Sequence, residues 1–217
     1  MKNVILIAAP AAGKGTEAGL LKKQYKMVHI STGDLLRNAV SKGDERGNMI
    51  NELITNGKFV SDKIVLELLK EKLLEPACDN GYILDGFPRN IEQAKSYDKI
   101  LEEINRDIGI VIVLDIDKEI AKSRILGRYS CLKCGKVYNI NNIEMKPISD
   151  GLCDICNIEL VRRSDDNPDV YEERYNTYIE KTEPLISYYD EKGIVYHVDA
   201  GKSFEETHKQ IVKILGE

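Results

Sequence analysis

The sequence predicts an α/β protein: a five-stranded parallel sheet flanked by helices, with one small inserted lobe. Short, almost wholly apolar runs at 4–8, 27–30, 82–84, 110–114 and 194–198 alternate with longer stretches of helical periodicity. Strands apolar on both faces require cover on both faces, which parallel sheets obtain from crossover helices. The segment 129–162 breaks this rhythm and carries four of the five cysteines, so it reads as an insertion.

The first strand, VILIA at 4–8, has no polar position and is expected to be buried. "VILIAAPAA" has the look of a miniature signal peptide, but it is too short and runs straight into Gly13-Lys14. No run approaches the roughly 20 apolar residues of a membrane span. The expectation is therefore a cytoplasmic protein with no membrane partner. Helical periodicity follows at 15–24, 34–40, 62–74, 91–104, 118–126, 171–190 and 204–215. Ser31 with Asp34 three residues on resembles a capping box at the start of the second helix. Pro184 falls inside the long pattern 171–190 and should kink it or end its first part. The whole chain of 217 residues suits one domain with an insertion. Its 31 Lys+Arg against 36 Asp+Glu leave a net charge of −5, which argues against a nucleic-acid partner.

In doubly wound sheets ligands bind beyond the carboxyl ends of the strands. "AAPAAGKGT", "STGD" and "DGFPR" all fall there. Strand, glycine-lysine loop and helix in succession form a phosphate cradle of backbone N–H groups at a helix N-terminus. Lys14 would reach the outer phosphates and Thr16 a magnesium ion, directly or through water. The plainer reading is an ordinary turn with a surface lysine. Alanines stand where such loops favour glycine. If Ala11 is left-handed, the penalty is about 1–2 kcal/mol; at negative φ it is near zero.

Phosphoryl transfer requires alignment of two substrates and neutralisation of their charge, for which arginine's planar fork is suited. Arg37, Arg89, Arg128, Arg163 and Arg174 stand beside these motifs or at loop edges; singly, each could be a solvated surface charge. Asp85 ends an apolar strand and could hold magnesium through water, or simply begin an Asp-Gly turn. Cys131, Cys134, Cys153 and Cys156 form two CxxC pairs separated by 18 residues. That spacing fits a closed, structural four-thiolate site for zinc or another thiophilic metal such as iron, with disulfides as the alternative. Cys78 reads as a small buried apolar residue.

Together these motifs resemble the adenylate kinases, specifically the bacterial long-lid type with a zinc-bearing lid, over essentially the whole chain. "AAPAAGKGTEA" is similar to that family's phosphate loop, "STGDLLR" and "GKFVSD" to its monophosphate-binding region, and "ILDGFPRNIEQA" to its central signature. "GRYSCLKCGKVY", "GLCDIC" and "RSDDNPDVYEERY" resemble its lid and closing hinge. The resemblance implies a P-loop nucleoside monophosphate kinase. It would transfer the terminal phosphate of magnesium-ATP to AMP, giving two ADP, with structural Zn2+ in the lid and action as a monomer.

By the same resemblance, Lys14, Arg89, Arg128, Arg163 and Arg174 would steady the phosphates in transfer. Ala11, Ala12, Gly13, Lys14, Gly15 and Thr16, with Arg124, Arg128 and Lys202, would hold ATP. Thr32, Arg37, Lys58, Val60, Gly86, Arg89, Gln93, Arg163 and Arg174 would hold AMP, with Gln93 reading the adenine. Thr16 and Asp85 would order magnesium, and Asp165 and Asp166 would stabilise lid closure. The implied domains are a core (1–30, 61–126 and 165–217), an AMP-binding segment (31–60) and a lid (127–164). Departures from the family pattern are Ala8 and Ala11 for glycines, Glu17 where glutamine is common, and Gly19 inside a helix. A CMP or UMP kinase, or a weakly active nucleotide-binding or zinc-ribbon interaction protein, are the alternative readings.

Overall fold

The computed structural model describes residues 2–56, 60–163 and 166–216. Among them a five-stranded sheet runs in the order β2-β3-β1-β4-β7, with every neighbouring pair parallel. The strands are β1 (Val4–Ala8), β2 (Val28–Ser31), β3 (Tyr82–Asp85), β4 (Ile110–Asp115) and β7 (Val195–Asp199). All five apolar runs are strands, displaced by at most one residue.

Alternation along β1 divides the core in two. Ile5 and Ile7 face a large cluster with Tyr82, Leu84, Val111 and Val113. Its cover is α2 (Thr32–Ser41), α3 (Glu45–Thr55), α4 (Asp62–Leu73), α5 (Ile91–Glu103) and α8 (Pro184–Asp190). Val4, Leu6 and Ala8 face the other side with Ile83, Ile112 and Val198, under α1 (Lys14–Tyr25) and α9 (Phe204–Leu215). A side-chain period of two thus makes one strand serve two cores. Both faces are dry, which is why the strands read as continuous apolar runs.

Ser31 caps α2 as expected: its Oγ accepts from Asp34 N at 3.1 Å and donates to Asp34 Oδ2 at 2.7 Å. The long pattern 171–190 is α7 (Pro168–Thr177), a π-helical turn (Tyr178–Thr182) and α8, rather than one helix. Pro184 opens α8, where its missing N–H costs least. Among the described residues three helical pieces lacked a sequence signal: α3, a 3-10 turn at Pro76–Asn80 that buries Cys78 completely, and a 3-10 turn at Ile143–Met145 in the insertion.

After α6 (Lys118–Leu126) the chain enters the insertion. There β5 (Arg128–Ser130) and β6 (Val137–Asn139) pair antiparallel. Cys131, Tyr138, Cys153 and Leu160 form a small core of their own. No helix among the described residues is long and apolar enough to cross a membrane.

Candidate active site

β1 lies between β3 and β4, where the winding direction of the sheet reverses, so the loop after β1 opens into the crevice that such a reversal creates. Ala11 is left-handed in this loop, at φ 65, and Gly13 at φ 105 leads into α1. No side chain caps α1. The N–H groups of a helix's first turn have no partner within the helix and attract an anion. Lys14 folds back to donate to Ala8 O at 3.0 Å. Its ammonium pKa is lowered by burial, countered by Asp85 and reinforced by Arg89 and Arg174. The field of the site therefore already favours a negative guest.

Asp85 ends β3, and a Cβ on Gly15 would stand 3.9 Å from its Oδ2, so the carboxylate overhangs the first turn of α1. His29 Nε2, from the neighbouring strand, donates to the same oxygen at 3.2 Å. Gly86 O accepts from Thr32 Oγ1 at 3.0 Å and from Arg89 Nε at 2.8 Å, joining the start of α2 to the loop after β3. Thr182 Oγ1, in the π-helical turn, donates to Arg89 O at 3.0 Å. These contacts enclose a cleft of about 690 Å³ that brings together Lys14, Thr32, Asp85, Gly86, Arg89 and Arg174.

A second cleft, of about 580 Å³, continues from it and shares Thr32, Gly33, Gly86 and Arg89. Its walls are mostly apolar, with Leu36, Val60, Val65 and Phe87, and Gln93 stands in it. Gln93 Nε2 donates to Asp62 Oδ1 at 2.7 Å and its Oε1 accepts from Arg89 N at 2.8 Å. The amide is thus held in one orientation. Arg37 lies beside Gly33, bound to Asp34 Oδ1 at 2.6 Å and otherwise solvated.

A third cleft, of about 560 Å³, lies between α6, the insertion and the loop before α9. Arg124 donates to Ala200 O at 2.8 Å and Lys202 O at 2.9 Å, with its guanidinium 5.3 Å from the Phe204 ring centre. Arg128 and Arg163 are not brought into the central cleft. Arg128 forms a two-point pair with Asp166, Nε to Oδ2 at 2.7 Å and Nη2 to Oδ1, and Arg163 is exposed. Lys58 and Asp165 lie outside the described residues.

The four cysteine Sγ atoms lie within 4.8 Å of one another, and Cys134 and Cys153 are 3.6 Å apart. A tetrahedron of thiolates around zinc has edges of about 3.8 Å. The donor set and its spacing fit a thiophilic metal. Burial would raise the Cys153 thiol pKa, but Tyr138 Oη and the N–H groups of Cys156 and Ile155 bring it down to about 6. Burial and the facing Cys134 and Cys131 push Cys156 up to about 12.

The adenylate kinase family model matches residues 6–194 of the chain. The chain belongs to the adenylate kinase family. It is 42% identical over 213 residues to the adenylate kinase of Kosmotoga olearia, covering 98% of both chains. It is 44% identical over 213 residues to that of Archaeoglobus fulgidus, covering 98% of this chain and 97% of the relative. Against that of Fervidobacterium nodosum the identity is 39% over 214 residues, covering 99% and 97%. In this adenylate kinase family member, several residues in the clefts (Tyr178, Thr182) or against their walls (His29, Phe204) were not singled out from the sequence. His29, Phe204, Thr182 and Tyr178 belong to elements whose contacts across the fold bring them to the site. The phrase "VHISTGD", with a histidine on the strand beside Asp85, was the one readable hint. Glu17, at the family's usual glutamine position, is buried and accepts from His208 Nδ1 at 2.9 Å. That partner, 191 residues away, is visible only in three dimensions.

Proposed function

We propose that this chain is an ATP:AMP phosphotransferase that works by positioning and charge neutralisation. It would transfer the terminal phosphate of ATP to AMP, reversibly, to give two ADP. The observation that carries this reading is a cleft at the phosphate loop, lined by Lys14, Arg89 and Arg174, that adjoins a second cleft through Thr32, Gly33, Gly86 and Arg89. ATP phosphates would lie on the open N-terminus of α1 with Lys14 turned from Ala8 O onto them. AMP would enter the second cleft, its phosphate on Arg89 and Arg37 and its base against Gln93 and the backbone at Val60 and Gly86. Arg124 and the backbone at Lys202 would receive the ATP base.

Phosphoryl transfer asks little covalent chemistry of the protein; two oxygens must be held in line and the charge between them neutralised. Lys14, Arg89 and Arg174 would do this. Arg128 and Arg163 would join them when the lid (127–164) and the AMP-binding segment (31–60) close on the core and exclude water. Asp165 and Asp166 would hold the closed lid. Thr16 and Asp85 would hold magnesium, directly or through water, and the ion would supply further neutralisation between the outer phosphates. The cysteines would hold zinc in a purely structural role, with no open position for catalysis. Action as a monomer is what the family resemblance implies.

The test is ADP formation from magnesium-ATP with AMP, CMP, UMP or GMP as acceptor. AMP should be preferred, and Arg89→Ala should lower kcat by about 10³-fold or more, as loss of a phosphate-neutralising arginine does. Preference for CMP or UMP would reassign the second cleft. ATP binding without turnover would remove the enzyme reading.

A further inference from the structure

An α-helix leaves its last carbonyls without partners inside the helix, and most helices satisfy them locally, often with a left-handed glycine. α6 does so only in part. Gly127, which follows it, is right-handed at φ −90 and its N–H reaches Ser123 O and Ile125 O, while Arg124 O and Gly127 O are met from the lid and Ser123 O gains a second donor there. Asn139 Nδ2 donates to Arg124 O at 2.8 Å and Asn141 Nδ2 to Ser123 O at 2.9 Å. Ile140 N donates to Gly127 O at 2.9 Å. Asn141 N donates to Asn139 Oδ1 at 2.9 Å, which fixes the Asn139 amide with its NH2 towards the helix.

Gly127 makes room for this latch. A Cβ there would stand 2.3 Å from Asn139 Oδ1 and 2.8 Å from the Asn141 amide. Because φ is negative, the restriction comes from the two asparagines and not from the backbone. The helix residue that Asn139 holds by its carbonyl is Arg124, whose guanidinium holds the Ala200 and Lys202 carbonyls and covers Phe204. Phe204 in turn lies 3.3 Å from where a Cβ on Gly13 would be, in the phosphate loop. A continuous line of contacts therefore runs from the returning lid strand through Arg124 to the loop that cradles phosphate.

We propose that Asn139 and Asn141 are positioning residues that latch the lid to the last turn of α6 and thereby set Arg124 for the base of the nucleoside triphosphate. This rests on the reading of the third cleft as the ATP base subsite. A latch of this kind acts on one substrate only, because the AMP cleft shares no residue with it.

The test compares wild type, Asn139→Ala, Asn141→Ala and Gly127→Ala by ATP and AMP binding calorimetry and by KM for each nucleotide. An orphaned helix carbonyl corresponds to roughly a tenfold effect. Asn139→Ala should weaken ATP binding and raise its KM by about that factor, leaving AMP within about twofold. Asn141→Ala, on an exposed residue, should move ATP in the same direction by less, and it decides the matter if Asn139→Ala does not fold. Gly127→Ala should reproduce the ATP defect. Unchanged ATP affinity in both asparagine variants, or an equal loss for AMP, overturns the latch while an active wild type keeps the kinase reading. A wild type that binds ATP but transfers no phosphate defeats the kinase reading alone, and the binding ratios still judge the latch. A wild type that binds no ATP overturns both.

Discussion

At Ala11 the backbone is left-handed, φ 65, in a residue that carries a Cβ. Such a conformation costs about 1–2 kcal/mol for an L-residue. Glycine at the same place would remove that cost but give back about 0.4–1 kcal/mol through the greater freedom of its unfolded chain. Ala11→Gly should therefore stabilise the protein by roughly 0.5–1 kcal/mol, or about 1–4 °C in Tm for a chain of this size. ATP affinity answers to a different quantity. If the loop keeps its conformation on binding, the strain is present with and without nucleotide and cancels. ATP binding should then stay within about twofold, measured beside the thermal melt. A lower Tm would show that Ala11 is unstrained; a tenfold gain in ATP affinity would show that the strain is relieved only in the free loop. The sequence posed this question through two alanines in a glycine loop, but φ at one residue is decided by the path of the loop, which composition does not carry.

Among the elements, the strands buried on two faces and the helices with a regular apolar stripe were legible, and α3 was not. Each strand of the sheet is covered on both sides, so its apolar run marks it plainly. α3 buries only Gly47 and Ile50 while exposing Met49 and Ile54, so its periodicity is masked by the reversed placement of its apolar residues. Gly47 lies where a Cβ would meet Ala39 O at 2.4 Å, so the closest packing in this element comes from a residue with no side chain to read. The phosphate loop, Asp85 and Arg89 could be brought to the clefts from contiguous motifs at strand ends, and Gln93 only through the resemblance of the motif it lies in. Phe204 and the two latch asparagines could not, since each acts through an element remote in sequence. The lid was legible through its break in the strand-helix rhythm and its cysteine spacing. Its core of Cys131, Tyr138, Cys153 and Leu160 is too small to hold a lobe of this length by apolar burial. Metal should supply the difference, so purified reduced protein should contain about one zinc or similar ion per chain by elemental analysis. A chelator should unfold the lid, seen as new protease cleavage within 127–164, while ATP still protects the core. Metal-free protein with a protease-resistant lid would rule out this account of the lobe.

The molecule as a whole has its lid joined to the core by two chain crossings, and among the described residues an ion pair of Arg128 and Asp166 spans them. Arg128 begins the outgoing strand β5, and Asp166 stands just before α7 on the return. The Asp166 side chain is 0% exposed and that of Arg128 18%, so the two partners depend on each other unequally. Removing the arginine leaves a buried carboxylate without its counter-charge, a change that costs about 3–5 kcal/mol where such pairs have been broken. Removing the aspartate leaves an arginine whose head has a path to water along its own stem, which is less costly. Arg128→Ala should therefore destabilise the chain by several kcal/mol in urea melts, Asp166→Ala by less. The double variant should fall well short of the sum, with a coupling of 0.5–3 kcal/mol as expected of groups in contact. Additive losses would mean that the pair contributes little to holding the two crossings together. The same pair bears on turnover, because Arg128 lies outside the central cleft while bound to Asp166. If closure moves β5 and the start of α7 as one hinge, Arg128 reaches the phosphates with the pair intact, and Asp166→Ala lowers kcat through misplacement of Arg128. If closure instead requires the pair to break, Asp166→Ala frees the arginine and raises kcat or lowers KM for ATP. The rigid two-point geometry and the complete burial of Asp166 favour the first course, so the expected result is a fall in kcat. Steady-state kinetics of this one variant, at a temperature where its melt shows it folded, decides between them.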